Sequence, residues 1–445
     1  MASDLLSIAV SGARAARGAL DVTAQNIANA SSDGYTRRSL RLEEVSAAGG
    51  VGRVGDISLS GARIAEIRRN ADPFLQGEVR RTGGDLARAD VELKGLRNME
   101  SALEQSGVYD AMVEFEASLQ QLAGDPVDPA RRAAVLGEAE TLASKFNITA
   151  TGFDAVRDGL QFDAEAEVSE ANILGQELAR INLRMNRAGP GTSDRATLLD
   201  QRDLMLEKLS GLTSISTSFA PDGTVAVSLG NPARSFVQGG ASGTLTFARQ
   251  ADGVMAFAVD GQAMEPTSGS LGGANLALTD LAAARSRLDA LANDFAITLN
   301  NAQANGAALN GSPGQPLFSG NTAGTLRVEL QSGAGLATAP AGSPAGSRDP
   351  GNLDALRQAL KNPDQIQSMS GLLFDLSSKV AGRTVTQSAL ETIATTARIS
   401  LEQQSGVDLD TEAANLIRFQ QAFQASGRAM QTASDIFDTL LGIGR

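Results

Sequence analysis

The sequence predicts a mainly α-helical protein with β insertions (α+β), elongated and multi-domain, whose N- and C-terminal helices pair in a coiled-coil bundle. Apolar residues recur every three or four positions through most of the chain, as in helices, and alternate in two shorter stretches, as in strands. Both ends carry heptad stripes, the pattern of helices that bury one seam against other helices. The stripes are Leu5, Ile8, Gly12, Ala15, Ala19, Val22, Asn26 and Asn29 at one end, and Leu409, Ala413, Leu416, Gln420, Phe423, Gly427, Met430, Ser434, Phe437 and Leu441 at the other.

The two terminal stripes are complementary in size. The N-terminal stripe consists mostly of small residues, whereas the C-terminal stripe carries Phe and Met. Burying a Leu, Phe or Met side chain contributes about 1.5–3 kcal/mol, far more than burying Ala or Gly. An isolated N-terminal helix is therefore marginal in water, and the C-terminal helix offers the bulk that it lacks.

The N-terminal region is predicted as a helix followed by a β-hairpin. The helix runs from about residue 4 to residue 30, with Ser3 or Asp4 as its cap, and the turn formers at 30–34 end it. Residues 35–69 then alternate between apolar and polar side chains, with several glycines in the middle. This pattern predicts two strands joined by a glycine-rich turn.

The middle of the chain is predicted as a long helical bundle with a small β insertion. Helical spacing runs from 73 to about 212, interrupted by sequences that contain Pro and Gly. Residues 213–270 alternate and contain three turn sequences, which predicts strands. Helical spacing returns near 281. The Gly-, Ala-, Ser- and Pro-rich stretch 306–351 predicts turns and linker around a short strand at 326–330, and helices continue to the C-terminus.

These patterns together predict three domains. The first is a terminal coiled-coil domain formed by residues 1–40 and 405–445. The second is a helical-bundle domain with short β elements, formed by residues 41–212 and 271–404. The third is the inserted β domain at residues 213–270.

Composition excludes several classes of function. The 445 residues include no Cys and no His, so disulfides, thiolate catalysis and the commonest metal ligand and general base are absent. A net charge of −13 argues against nonspecific binding to nucleic acid or anionic lipid. No apolar run approaches the roughly 18 residues that a membrane helix needs, and residues 1–30 lack the apolar region of a secretory signal. We therefore expect no nucleic-acid partner, no membrane partner and no cleaved signal peptide.

Two short motifs that resemble ligand sites are better explained by local structure. Residues 50–55 match G-x-G-x-x-G, but they are followed by a strand pattern instead of the helix that would face a pyrophosphate. Asp408, Asp410 and Glu412 resemble the start of a calcium loop, whose later Gly and Glu are missing. Asp410 is instead predicted to cap the last helix, with Glu412 favoured in the positive first turn. We predict no catalytic residue, no cofactor and no metal.

The end segments carry a resemblance to a known family. Residues 24–30 (Ala-Gln-Asn-Ile-Ala-Asn-Ala) and 33–38 (Asp-Gly-Tyr-Thr-Arg-Arg) resemble the N-terminal signature of the bacterial flagellar rod/hook/axial protein family. Residues 405–426, which begin Ser-Gly-Val-Asp-Leu-Asp-Thr-Glu, resemble the C-terminal signature of the same family. The Gly-Tyr-Thr-Arg form at 34–37 is similar to members at the hook–filament junction. After Gly320 the chain departs from many such members, which insert a further β domain there.

The resemblance implies a non-enzymatic structural role in the bacterial flagellum, joining hook to filament and needed for filament assembly and motility. It implies an extracellular location at the hook–filament junction and export without a cleaved signal peptide. The implied partners are further copies in a ring of subunits, hook protein, hook-associated protein 3 and an export chaperone on the C-terminal segment. We expect both terminal helices to be mobile in the free monomer and to become ordered on assembly or chaperone binding.

The candidate assembly interface combines both stripes with the turn after the first helix. Asn26 and Gln420 fall on seam positions, where a polar group either controls register or lies exposed on an imperfect stripe. Asn29 and Gly34 are typical of a helix end, whereas Tyr35 and Arg37 lie beyond it and are assigned to intersubunit contacts. The full set is Leu5, Ile8, Val22, Asn26, Ile27, Asn29, Gly34, Tyr35, Arg37, Leu409, Asn415, Leu416, Phe419, Gln420, Phe423, Met430, Phe437 and Leu441.

Two alternative functions stay open from sequence alone. The protein could be another flagellar axial protein, such as hook protein, a distal rod protein or hook-associated protein 3. It could also be a secreted wall-degrading enzyme with axial-type ends, since the spacing of carboxylates in sequence says nothing about their distance in space.

Overall fold

Long helices make up most of the protein over residues 2–45, 61–361 and 364–443, which are the residues that the computed structural model describes. The strands are short and lie between the helices, so the mainly α class with β insertions is confirmed. The helices are α1 (Ala2–Ala28), α2 (Pro73–Ser106), α3 (Val108–Ala123), α4 (Pro129–Met185), α5 (Ser193–Leu212), α6 (Gly269–Ala304), α7 (Gly351–Leu360), α8 (Gln365–Ser405) and α9 (Leu409–Ile443).

The strands form small sheets. The hairpin predicted after the first helix is an antiparallel pair, β1 with β2, that contains an irregularity between Arg41 and Leu42. A four-stranded sheet has the order β3-β4-β5-β6, a three-stranded sheet the order β7-β8-β9, and β10 pairs with β13 and β11 with β12. The strands are β1 (Arg38–Val45), β2 (Gly61–Arg69), β3 (Ile215–Phe219), β4 (Val225–Leu229), β5 (Arg234–Gln238), β6 (Ala241–Ser242), β7 (Leu245–Arg249), β8 (Met255–Val259), β9 (Gln262–Met264), β10 (Gly306–Ala307), β11 (Phe318–Ser319), β12 (Arg327–Val328) and β13 (Ala339–Pro340).

Most predicted elements are observed, with shifted ends. α1 starts and ends about two residues before the predicted bounds. Gly34 has φ 74° in the turn that follows α1, as expected for a residue beyond a helix end. The helical region before 212 is divided into α2 to α5, and the region 213–270 contains β3 to β9, as the alternation predicts. The glycine-rich turn and the motif at 50–55 lie outside the described residues.

The chain divides into two compact units. Unit 1 comprises Met1–Asp85, Glu170–Leu245 and Glu391–Arg445, and unit 2 comprises Leu86–Ser169 and Thr246–Leu390. Unit 1 therefore holds both terminal helices and the sheet from β3 to β6. The three predicted domains are a different division of the chain and stay a prediction.

Unit 2 has an aromatic core. Phe115, Phe295 and Phe318 are fully buried and meet edge to face, with ring centroids 5.7–6.3 Å apart. This geometry places the positive edge of one ring against the negative face of the next. Phe318 belongs to the stretch predicted as turns and linker, so that stretch contributes to the core of the unit.

The stretch 306–351 is therefore more ordered than its composition predicts. Arg132, at the start of α4, is fully buried and donates to the carbonyl oxygens of Gly333 and Leu336 at 3.1 and 2.8 Å. Its other nitrogens donate to Pro126 O at 2.6 Å and Thr338 Oγ1 at 2.7 Å. The prediction of a linker is wrong here, because these contacts fix the backbone of the stretch where its Gly and Ala side chains cannot.

Candidate assembly site at the chain termini

The two terminal helices pack against each other within unit 1. A Cβ atom built on Gly12 of α1 would lie 3.1 Å from Ser426 Oγ of α9, so the backbone of α1 approaches α9 closely there. Ala15, Ala19 and Val22 of the predicted stripe are buried. The predicted pairing of the chain ends is confirmed, and the small residues of α1 are what permits the close approach.

Much of the apolar surface of these helices stays exposed after they have paired. Leu5, Ile8 and Leu409 are exposed, and 43% of Phe423 and 50% of Phe437 are accessible to water. Leu416, Phe419 and Met430 are partly buried. A monomer rarely leaves a series of large apolar side chains open along one element unless another molecule covers them.

A groove of about 330 Å³ lies between α1, β1 and α9. Its lining includes Val22, Leu40, Leu42, Asn415 and Phe419. Leu42 is an exposed large apolar residue. The groove therefore continues the exposed apolar surface of α9 beside the first strand.

The turn after α1 is fixed by one buried amide. Asn26 Nδ2 donates to Arg38 O at 2.9 Å, and Arg38 N donates back to Asn26 Oδ1 at 3.0 Å. Tyr35 Oη donates to the same Oδ1 at 2.9 Å. Both polar atoms of the Asn26 side-chain amide, Nδ2 and Oδ1, bond the backbone of Arg38, where β1 begins. Asn26 therefore positions the hairpin against α1. Neither alternative given for Asn26 from sequence, register control in the seam or exposure, describes this role.

An ion pair joins this turn to the C-terminal helix. Arg37 Nε donates to Glu412 Oε1 at 2.7 Å, and Arg37 N donates to Ser405 O at 2.9 Å. The Glu412 side chain is 2% exposed and the Arg37 side chain 26%. These two directional contacts therefore tie the turn to the end of α8 and to the first turn of α9. Arg37 and Tyr35 have partners within the chain, and their assignment to intersubunit contacts stays a prediction.

Behind the turn lies a network of buried charges. Arg38 Nη2 donates to Asp200 Oδ2 at 2.9 Å, and Arg69 Nε donates to Asp200 Oδ1 at 2.8 Å. Arg69 Nη2 also donates to Asp203 Oδ2 at 2.9 Å. Burial raises the pKa of the Asp200 carboxyl, while the charge of Arg69 and the hydrogen bond from Arg38 act in the opposite direction. The network thus joins β1, β2 and α5, and its net stabilisation is small relative to the cost of breaking it.

The start of α9 differs in one detail from the prediction. Asp408 Oδ1 accepts hydrogen bonds from Asp410 N at 2.9 Å and Thr411 N at 3.1 Å. These bonds lower the pKa of the Asp408 carboxyl. Asp408 is therefore the N-cap of α9. The prediction that Asp410 caps this helix is wrong, because the cap lies two residues earlier. Asp410 and Glu412 both lie in the first turn of α9.

The structure brings only part of the predicted interface together. Val22, Asn26, Tyr35, Arg37, Asn415 and Phe419 lie around the turn and groove of unit 1, with Ile27 and Asn29 at the end of α1. Asn29 Nδ2 donates to Gln25 O at 2.9 Å, which fits its role at a helix end. Gln420 is exposed. Of the two roles considered from sequence, register control in the seam or exposure on an imperfect stripe, the structure therefore fits the second. Leu441 lies in α9 among the residues whose side chains are not described.

Sequence reasoning misses the charged residues that anchor the site. It assigns Glu412 only to the first turn of a helix, yet this carboxylate pairs with a residue 375 positions away in the chain. It assigns no role to Asp200 or Asp203. The available signal is the occurrence of arginines at 37, 38 and 69 in strand-like surroundings, where an unpaired guanidinium would be costly to bury.

The described residues contain no group of three or more acidic residues arranged to hold a metal ion. Among their helices, none combines the length and apolarity that crossing a membrane requires.

Family models match three parts of the chain. One, described as the flagellar hook-associated protein FlgK helical domain, matches residues 93–318, just over half of the chain. Two others, described as flagella basal body rod protein and flagellar basal body rod FlgEFG protein C-terminal, match residues 6–36 and 401–443. The resemblance of both ends to the flagellar family is confirmed.

Similar proteins carry the same family name. The chain is 24% identical to flagellar hook-associated protein 1 of Bacillus subtilis (strain 168), over 97% of this chain and 96% of that protein. It is 25% identical to the Escherichia coli (strain K12) protein of that name, over 99% and 100%. With the Salmonella typhimurium protein it shares 27% identity, over 71% and 59%. The expected absence of enzymatic activity is consistent with these structural flagellar relatives.

A solved structure described as the flagellar hook junction protein FlgK from Burkholderia pseudomallei is similar in fold. The TM-score is 0.50 at 24% sequence identity, and the match covers 54% of this chain and 46% of that one. At this identity the likeness supports the fold alone.

Proposed function

Since the chain belongs to the family of flagellar hook-associated proteins FlgK, we propose that it is a structural subunit that joins hook to filament and is needed for filament assembly and motility. The observation that carries the proposal is the match to hook-associated protein 1 over nearly the whole of both chains. A match over the full length includes the helical middle as well as the ends. The ends alone match models that describe basal body rod proteins.

The exposed stripe of the terminal helices supports an assembly role. Phe423 and Phe437 remain about half exposed although α9 is already packed on α1. Burial of one such side chain contributes about 1.5–3 kcal/mol, so several along one helix supply a large driving force for association. We assign the predicted interface residues of both stripes to contacts with other copies. The three-domain division places this interface in the terminal domain at 1–40 and 405–445.

The proposed partners follow from the same assignment. They are further copies in a ring of subunits, hook protein on one side and hook-associated protein 3 on the other. Before export, a chaperone covers the C-terminal segment, whose apolar side chains would otherwise promote aggregation. The proposed location is the hook–filament junction outside the cell, reached without a cleaved signal peptide, and no catalytic activity is involved.

The substitution Phe423→Asp tests the proposal. A charge at this exposed apolar position should abolish incorporation at the hook tip, because an unpaired carboxylate would have to enter the contact between copies. Gln424→Asp, on the neighbouring exposed position of the same helix, is the matched control and should assemble normally. Incorporation is measured by immunoblot of isolated flagella, and swimming by motility in soft agar. Normal swimming of the Phe423→Asp strain would contradict the proposal.

Deletion of the gene separates the junction role from the alternative axial roles. Electron microscopy of the deletion strain should show hooks without filaments, with flagellin released into the medium. Loss of the hooks themselves would instead indicate a rod or hook protein. A blank zymogram on peptidoglycan is expected, and a cleared band would favour the wall-degrading enzyme.

A further inference from the structure

Unit 2 presents an uncharged face along α4 that none of the described residues covers. Ten positions spaced three and four residues apart, which lie on one side of an α-helix, are all exposed and all uncharged. Solvent-facing helix surfaces normally carry charges. Ile148 is half exposed and Phe162 is 70% exposed. The α4 outer face consists of Gly137, Thr141, Ser144, Ile148, Thr151, Ala155, Gly159, Phe162, Ala166 and Ser169.

A second face of the same kind lies on α8. Its positions follow the same spacing, are all exposed and carry no charge. Phe374 and Val385 are each 72% exposed. The charged residues of this segment lie on the side that faces the unit, where Lys379 pairs with Asp280 at 2.6 Å and Arg383 with Glu92 at 2.7 Å. The α8 outer face consists of Gln367, Ser370, Phe374, Ser378, Ala381, Val385 and Ala389.

Three glycines on or beside the two faces are not required by contacts with the rest of the described structure. No atom of the described residues lies within 4 Å of a Cβ built on Gly137 or Gly159 of α4, or on Gly382 beside the α8 outer face. By contrast, a Cβ on Gly152, on the inner side of α4, would lie 3.0 Å from Ala102 Cβ. Gly83, Gly211, Gly371 and Gly427 are open in the same way without lying on either face. Glycine inside a helix is destabilising relative to alanine, but on an exposed face it leaves room for the close approach of another backbone.

The two faces point in opposite directions. α2 and α6 touch each other, since a Cβ on Gly95 would lie 2.5 Å from Ala277 Cβ. α4 contacts this pair through Asp163, which pairs with Lys94 at 3.1 Å, and through Asp154, which pairs with Arg285 at 3.1 Å.

α8 contacts the same two helices at the same level. Glu92 of α2 pairs with Arg383, and Arg287 of α6 pairs with Asp375 at 2.8 Å. α4 and α8 thus each contact both α2 and α6 at the same height along these helices. Since a packed helix pair has one groove on each side, the two helices occupy opposite grooves. The outer faces of α4 and α8 are therefore on opposite sides of unit 2.

We propose that the α4 outer face of one copy packs on the α8 outer face of the next copy. The occupant of each face is thus a second copy of this chain, and the proposal rests on the ring of subunits in the proposed function. Two different faces on opposite sides make a head-to-tail contact, which generates a ring or a helical array instead of a closed dimer. Neither face carries a charge for its partner to neutralise. Each face also carries two large residues separated by small ones, with Ile148 and Phe162 about 21 Å apart along α4 and Phe374 and Val385 about 17 Å apart along α8.

The size of the faces explains why this contact needs the ring. An aromatic side chain buries about 150–250 Å², so the exposed part of Phe162 offers roughly 100–175 Å². Adding Ile148 and the small residues still leaves the face short of the roughly 800 Å² per partner typical of a stable complex. The contact is accordingly one of several between copies that the terminal helices already hold at high effective concentration.

Site-specific cross-linking tests the contact. Because the chain has no Cys, Ala155→Cys with Ala381→Cys places one thiol on each outer face. Treating isolated flagella with a short bismaleimide should give a ladder at multiples of the chain mass. The matched pair Glu165→Cys with Thr386→Cys, exposed but off both faces, should give none.

The possible outcomes distinguish failure of this inference from failure of the proposed function. Flagella that contain the Ala155→Cys, Ala381→Cys protein without a ladder would overturn the inference and leave the proposed function intact. An equal ladder from the control pair, or a product that joins this chain to a protein of different mass, would also overturn it. Absence of the wild-type protein from flagella would overturn the proposed function itself.

A glycine substitution gives a second, independent readout. Gly159→Leu should leave the melting temperature of the purified chain unchanged or raised, because no other described residue lies within 4 Å of a Cβ built there, and should lower incorporation into flagella at least threefold. Gly152→Ala, whose added Cβ would lie 3.0 Å from Ala102 Cβ inside the chain and away from the outer face, is the control and should be incorporated like the wild type. A lower melting temperature for Gly159→Leu, or wild-type incorporation, would contradict the close approach of a second copy.

Discussion

Replacing Arg37 by Ala is expected to loosen the first turns of α9 selectively. The substitution leaves the Glu412 carboxylate, only 2% exposed, without the guanidinium that lies 2.7 Å away. Removing one partner of a buried ion pair costs roughly 3–5 kcal/mol, because the other charge stays desolvated. Arg37 keeps about a quarter of its surface in water, so we expect about 3 kcal/mol, the low end of that range. The backbone bond from residue 37 to Ser405 O is retained, since Ala still carries the N–H group.

The substitution Glu412→Gln is the matched control for charge. Its amide oxygen still accepts the hydrogen bond from Arg37, and the guanidinium left without a counter-charge is the partly hydrated member of the pair. We therefore expect a loss of only about 1 kcal/mol, the usual net contribution of one hydrogen bond. The predicted order, a larger effect for Arg37→Ala than for Glu412→Gln, follows from which member of the pair is more buried.

Amide hydrogen exchange on the purified full-length chain measures this difference locally. A loss of about 3 kcal/mol corresponds to roughly 150-fold faster exchange, and 1 kcal/mol to roughly fivefold. The increase should be confined to peptides from 409–420, while peptides from α3 in unit 2 stay unchanged. Equal increases for the two variants would refute the reasoning. So would wild-type exchange at open-chain rates in 409–420, which would instead support the expectation that the terminal helices are wholly mobile before assembly.

Two further substitutions test the interiors of the two units. Asp200→Ala leaves Arg38 and Arg69 without their shared carboxylate, so we expect unit 1 to lose about 3–5 kcal/mol, measured by urea unfolding, with Asp200→Asn less affected. If Asp200→Ala were as stable as the wild type, the charge network would not contribute to the stability of unit 1. Arg132→Leu removes four buried hydrogen bonds to the 333–338 backbone and neighbouring atoms, and should expose this stretch to limited proteolysis while peptides from α9 keep their exchange rates.

The helices and the end pairing could be predicted from the sequence because periodicity reports which side of an element is buried. Spacing alone predicts a buried stripe on α1 that includes Ala15, Ala19 and Val22, and these residues are buried in the structure. Spacing cannot report how much of a stripe the chain itself covers. Phe423 and Phe437 follow the same heptad pattern but remain about half exposed.

The anchoring contacts could not be predicted, because they join residues that are distant in sequence. Asn26 has the spacing of a seam residue, yet its amide bonds the backbone at Arg38, and nothing in the local sequence distinguishes the two roles. Arg132 illustrates the same limit in unit 2. Its partners lie about 200 positions away in a stretch whose composition is typical of a linker. Composition reports the absence of large side chains, whereas the order of this stretch comes from a buried guanidinium.

Charge and apolar surface have separate roles in this protein. Within unit 1, Arg37, Arg38 and Arg69 make directional contacts to buried carboxylates, which tolerate little displacement and so fix how the chain ends meet. The surfaces that we assign to contacts between copies, on α9, α4 and α8, carry apolar and small uncharged side chains instead. Apolar contact is non-directional, so neighbouring copies can shift slightly while keeping the same surfaces buried. The junction subunit that we propose, placed between two differently built parts of one tube, needs both properties, a fixed internal register and external contacts that tolerate small changes in angle.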